Sequence, residues 1–191
     1  MGAGIHGGFG ATLGSTYDGG TAGGGEQSYS DRGIEIPENV KSLLGKMSNK
    51  GDYATGKKSD FSMTDVSIMS KESRVEFAKV TIGDKSYLIR GDSRGTFIPD
   101  SIMSEIKKGS GRLEFHSHPH NDDCVPSKAD RLLMHKLSRA TGQKTSIIVT
   151  PNGKTAIFTE HGVAEIGTVS NKMDSAHKQA LIKLFGGSRN D

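Results

Sequence analysis

The chain has 191 residues, a formal net charge of +3, a hydrophobic fraction of 32%, 26 glycines and one cysteine. That length suits one domain with extensions, and the lone Cys124 excludes an internal disulfide. Charges of both signs are interspersed, without a long basic run or aromatic interleaving, so nucleic acid is not an expected partner. No apolar stretch is long enough for a membrane span, and no signal peptide is expected at the start.

Residues 1–33 are rich in glycine, serine and threonine, with Gly7-Gly8-Phe9-Gly10, Gly19-Gly20 and Gly23-Gly24-Gly25. Glycine loses much entropy on folding, and apolar residues here are too sparse to offset it. The stretch reads as a flexible segment or linker, and residues 34–191 as the domain. A phosphate-binding glycine loop would need a preceding strand, a following helix and a terminal Lys-Ser/Thr, none of which is present.

Pro37 to Gly45 predicts a short helix, with proline at its start and Val40, Leu43 and Leu44 apolar. Asn49 to Asp60 reads as a polar loop, and Ser62 to Ser70 as a helix capped by Ser62 or Thr64. Arg74 to Arg90 predicts a hairpin: Val75, Phe77 and Lys79 alternate with Glu76, Ala78 and Val80, and Ile82 to Lys85 is the turn. Pro99 to Gly109 predicts a helix with Ile102, Met103 and Ile106 inward and Gly109 as its stop.

A buried strand follows at Arg112 to His116. Alternation puts His116 and His118 on one side of the chain as it leaves that strand. Pro119 ends the strand and a polar loop follows. Pro126-Ser127-Lys128-Ala129-Asp130 then opens a helix with Ser127 as N-cap. Asp130, in the first turn, can point back at the histidines. Two imidazoles and a carboxylate make a three-ligand zinc site with an open fourth position. Cys124 lies in the loop, either as a packing residue or as a further ligand or redox group. The helix is expected to run to Thr141, with Leu132, Leu133, Leu137 and Ala140 inward, Met134 and His135 off the stripe, and Gly142 terminating it. Strands follow at Ser146–Thr150 and Thr155–Thr159, with a short one at Gly162–Ile166, and a last helix at Met173–Phe185. His6, His161 and His177 have no partner visible in the sequence.

His116-Ser117-His118 and Ser127-Lys128-Ala129-Asp130 resemble the JAMM (MPN+) metalloprotease motif, which reads His-Ser/Thr-His, a seven-residue loop, then Ser-x-x-Asp. Here eight residues separate His118 from Ser127. The resemblance implies a JAB/MPN-like, cytidine-deaminase-like α/β fold, a mixed sheet flanked by helices. It implies Zn2+ held by His116, His118 and Asp130. It also implies a glutamate upstream on a strand as general base, for which Glu76 is the candidate and Glu72 and Glu114 the rivals. Ser127 would hydrogen-bond the developing oxyanion. Ser117 reads as structural, and Glu114 is expected to face the floor of the site or its surroundings. If the longer loop displaces Asp130, His120, Asp122 or Asp123 would substitute as ligand.

The run from Phe61 to His120, with its glycine-rich lead-in, is also similar to JAB-like domains at the C-terminal tips of bacterial polymorphic toxins. That likeness implies an effector acting in a target-cell cytoplasm, a larger precursor and an immunity-protein partner. The implied reaction is hydrolysis of an amide or isopeptide bond in a protein or peptide, ubiquitin-like proteins included. Alternatives are a RadC-type JAB protein, which shares His-x-His-Pro and Pro-Ser-x-x-Asp, and a non-catalytic MPN-fold binding module. Modules of the latter kind usually lack the ligands present here.

Overall fold

The computed structural model describes residues 11–13, 28, 30, 35–120 and 123–168, so the helix expected at 173–185 lies outside the described residues. The chain is mixed α/β, with a mixed sheet flanked by helices. Its elements in order are β1 (Ala11–Leu13), α1 (Glu38–Lys46), β2 (Tyr53–Lys57), α2 (Met63–Ser73), β3 (Phe77–Ile82), β4 (Lys85–Arg90), β5 (Thr96–Ile98), α3 (Asp100–Glu105), β6 (Gly111–Ser117), α4 (Lys128–Thr141), β7 (Ser146–Val149), β8 (Lys154–Thr159) and β9 (Gly162–Thr168). Seven strands form the main sheet in the order β2-β4-β3-β6-β7-β8-β9. Among the described strands only β6 and β7 run parallel. Parallel neighbours need a crossover, and α4 supplies it, starting beyond the C-terminal end of β6.

Each sheet face carries its own apolar core. On one face α3 and α4 contribute Ile102, Met103, Leu133, Met134 and Leu137 against Ala78, Val80, Leu113, Ile148 and Phe158. On the other, Val40 of α1 and Val66 and Met69 of α2 pack on Phe77, Leu88, Phe115, Ile147 and Val149. Burying each such side chain is worth roughly 1.5–3 kcal/mol, so neither helical layer is peripheral.

Several expectations are corrected. Residues 53–57, read as loop, form edge strand β2, paired with β4 from Tyr53↔Ile89 to Lys57↔Lys85. Its exposure alternates and Gly56 interrupts it, so an edge strand here resembles a polar loop in composition. The hairpin strand starts at Phe77, because Arg74 adopts a left-handed conformation (φ 55) that caps α2. Short strand β5 is absent from the sequence-based expectation. It pairs with β1, which lies inside the stretch read as a flexible segment. On α4, Leu132 is 52% exposed and Ala140 exposed, whereas Met134 is fully buried. The inward stripe is Asp130, Leu133, Met134 and Leu137, rotated from the expected one by the need to bring Asp130 over β6.

Strand β6 carries a β-bulge. Lys79 pairs with Phe115 but Val80 with Leu113, leaving Glu114 as the extra residue. A bulge inserts one residue and switches the alternation. Leu113 and His116, three apart, therefore both lie on the α4 face: Leu113 packs in that face's core, and the His116 ring meets Phe158 edge-on at 5.5 Å.

Candidate metal centre

His116 is the penultimate residue of β6, and His118 lies one residue beyond the strand. The His118 N–H donates to the Val149 carbonyl at 3.0 Å, which prolongs the pairing with β7 and holds this end of the chain straight. Asp130 sits in the first turn of α4 within a reciprocal capping box. Its N–H donates to Ser127 Oγ at 3.1 Å, and its Oδ2 accepts from the Ser127 N–H at 2.7 Å. The cap fixes the carboxylate's rotation and the β6–α4 geometry fixes its position.

The three side chains converge. His116 Nε2 and His118 Nε2 face each other at 3.0 Å, with Asp130 Oδ1 3.4 Å from the first and Oδ2 3.5 Å from the second. One ligand atom from each lies within 4.8 Å of the others, and all three residues are fully buried. Two imidazole nitrogens and a carboxylate oxygen at this spacing could hold a metal ion. Facing imidazole nitrogens carry lone pairs that repel unless a proton or a cation lies between them.

Glu76 immediately precedes β3. Ala78 is paired with His116, so two residues back along the antiparallel ladder Glu76 falls opposite His118. Its face is that of Ala78 and His116, the α4 side. Three backbone bonds anchor it. The Glu76 N–H donates to the Asp92 carbonyl at 3.0 Å, the Gly91 N–H donates to the Glu76 carbonyl at 2.7 Å, and the following Phe77 N–H donates to Ser117 Oγ at 2.9 Å. The last bond uses the side chain between the two histidines. Gly91 must be glycine, since a Cβ there would lie 2.2 Å from the Gly95 carbonyl oxygen. Both Glu76 carboxylate oxygens are buried without a hydrogen-bond partner, an arrangement that costs free energy unless something else is bound nearby.

Electrostatics follow from that burial. Desolvation pushes the Glu76 carboxyl up to about 8; His118 opposes this, while Asp130, Asp123 and Asp92 reinforce it. For His118, burial opposes the charge, but hydrogen bonds to Asp123 and Asp130 outweigh it and raise the pKa. His116 goes down, chiefly through burial against the opposing pull of Asp130. Burial alone would raise Asp130, but its two histidine partners overcome that and hold it well below the usual carboxylate range.

Other candidates separate from the group. Glu72 ends up in α2, accepting from the Ser30 N–H at 3.2 Å. Glu114, expected at the floor of the site, instead accepts from Thr81 Oγ1 at 2.8 Å and lies 3.5 Å from Arg112 Nε, because the bulge turns it to the other face. Half-buried His120 and buried Asp123 lie outside the three-residue group that could hold a metal; Asp122 lies outside the described residues. Cys124 is buried, free and also outside the group. His135 is a helix-surface histidine that pairs with Glu160. Sequence reading missed what stands behind His118: its Nδ1 is 2.8 Å from the Asp123 carbonyl oxygen and 3.3 Å from Asp123 Oδ2. The only signal was a carboxylate in the loop, which does not say which ring nitrogen it meets.

Among the described residues no helix is long and apolar enough to cross a membrane. No family model, curated protein or solved structure matches the chain.

Proposed function

We propose that the chain is a zinc-dependent peptidase or isopeptidase of the JAMM type on a JAB/MPN-like fold. The observation that carries this reading is the unpartnered, buried Glu76 carboxylate on the same sheet face as the His116, His118 and Asp130 group. A structural ion pair would satisfy its carboxylates, whereas a hydrolytic site needs one left free to take a proton. The donor set fits zinc: two nitrogens, one oxygen and no thiolate. Zinc held there would make a water acidic at neutral pH and polarise the scissile carbonyl.

The chain's own groups do the rest. Glu76, buried with both carboxylate oxygens unpartnered, is free to take a proton from the attacking water and return it to the leaving nitrogen. Ser127 Oγ accepts the Asp130 N–H in the cap, so its own O–H remains to donate to the developing oxyanion. Ser117 positions Glu76 through the Phe77 N–H. The substrate is an amide or isopeptide bond in a protein or peptide, ubiquitin-like conjugates included. By its likeness to toxin tips, the domain acts as a secreted effector in a target-cell cytoplasm and is restrained by an immunity protein. The buried free thiol of Cys124 suits a reducing compartment.

Metal analysis and turnover on the same preparations test this reading. The purified protein is expected to hold about one zinc per chain, and a His116→Ala, His118→Ala double variant to hold none. Glu76→Gln should keep fold and zinc but lose roughly 10²–10⁴-fold in cleavage of ubiquitin-like conjugates or a peptide library. Full zinc content in the double variant, or normal turnover in zinc-loaded Glu76→Gln, would sink it.

A further inference from the structure

The two histidines of the centre are held differently. His116 Nδ1 is buried with no hydrogen-bond partner, and its ring is placed by packing, edge-on against Phe158 at 5.5 Å. His118 Nδ1 meets two acceptors of one residue, the Asp123 carbonyl oxygen at 2.8 Å and Asp123 Oδ2 at 3.3 Å. Two acceptors there require Nδ1 to carry the proton, which leaves Nε2 as the ligand atom facing the centre. Asp123 is itself buried and turned inward by its N–H on the His120 carbonyl at 3.4 Å. It lies in the loop that is one residue longer than the motif pattern.

Resting on the metal-centre reading above, we propose that Asp123 is the positioning residue for His118, orienting its ring and selecting the tautomer that can bind a metal. A ligating histidine commonly donates its other ring N–H to a carboxylate or carbonyl, and loss of that partner typically lowers metal affinity by about 10–100-fold. Asp123 supplies both kinds of acceptor. The longer loop thus provides an orienting group for His118, not a replacement for Asp130.

The test is competitive zinc titration of the full chain, with Co2+ absorption as a second readout, at about pH 8.5, where protons compete less for the ligands. The variants are Asp123→Ala, Asp123→Asn and, as control, Asp84→Asn in the β3–β4 turn. Asp123→Ala, which removes the carboxylate at 3.3 Å and leaves the main-chain carbonyl at 2.8 Å, should keep its far-ultraviolet circular dichroism, lose about tenfold in zinc affinity, the low end of the usual range, and show an altered cobalt band. Asp123→Asn should fall between it and the wild type, and Asp84→Asn should match the wild type. Affinity in Asp123→Ala within about twofold of wild type overturns the proposal while leaving the metal centre standing, given the usual size of such losses. Should Asp123→Ala not fold, a loss below about threefold in Asp123→Asn overturns it by the same measure. Failure of the wild type to take up zinc or cobalt overturns the metal centre itself.

Discussion

Glu76 has no partner for either carboxylate oxygen, so its charge is a cost in the metal-free protein. Its pKa is raised to about 8, above that of the unfolded chain. The folded state then keeps a proton that the unfolded state gives up, so stability is full below about pH 4 and falls as pH rises toward about 8. A tenfold change in proton affinity corresponds to about 1.4 kcal/mol, which puts the loss at up to about 3–5 kcal/mol. In chelator-treated protein the Glu76 contribution should therefore lower the thermal midpoint between acid and mildly alkaline pH, which the comparison with Glu76→Gln isolates from the opposite contribution of His116. Glu76→Gln, neutral throughout, should flatten that decline and melt roughly 5–15 °C higher at the alkaline end. A parallel decline in the two proteins would show that Glu76 does not carry the proton. Ser117 belongs to the same scale: its Oγ fills the hydrogen-bonding need of the Phe77 N–H next to Glu76, so the residue between the two histidines also helps set the position of Glu76.

Among the elements, α4 carries both a member of the buried histidine–aspartate group and a stripe of the core. One end supplies Asp130 and the other ends cleanly at Gly142 (φ 78). Its register is set by a buried stripe of Asp130, Leu133, Met134 and Leu137, with Leu132 left outside. Leu133→Ala should cost about 2–5 kcal/mol, while Leu132→Ala should stay within about 0.5 kcal/mol of wild type. Urea unfolding of both variants decides it, and equal losses would refute this register. Much of the helix is legible in the sequence: Ser127, Asp130 and Gly142 mark its ends by capping chemistry that acts over three or four residues. The stripe is not, because Leu132, Leu133 and Met134 are all apolar and only the sheet beneath selects two of them.

For the whole molecule, both cores run from Ile36 to Phe158 among the residues whose burial is described. The pairing of β1 with β5 joins Ala11–Leu13 to Thr96–Ile98 and adds a small second sheet. Removing residues 1–13 should leave a cooperatively folding domain whose midpoint drops by at least a few degrees, since the segment contributes one short ladder, worth about 1–2 kcal/mol, and also lies against α4. Loss of cooperative unfolding would place a core contribution in that segment. Metal linkage is another property of the whole chain. His118 carries a raised pKa without metal, so if the centre takes zinc as proposed, binding must release its proton. Apparent zinc affinity should rise with pH across the neutral range, by at most about tenfold per pH unit for one proton. A pH-independent affinity would mean that His118 is already neutral.

By itself the sequence determined what depends on near neighbours. The β3–β4 hairpin, the apolar run ending in His116-Ser117-His118, the Ser127 cap and the placing of Asp130 in a first turn all follow from spacings of a few residues. From these, the meeting of two imidazoles and a carboxylate is already inferable, because strand, loop and helix are consecutive. Tertiary structure alone decided what depends on pairing across long separations. The bulge at Glu114 exists only relative to β3, and it removes that carboxylate from the site. Glu76 falls opposite the histidines because of the Ala78↔His116 register, although strands β4 and β5, helix α3 and their loops intervene in the chain. Edge strands β2 and β5 exist because β4 and β1 offer backbone partners, not because their side chains demand a strand. A side chain's reach is local, whereas the strand register that brings distant side chains together is set by the whole sheet and its two cores.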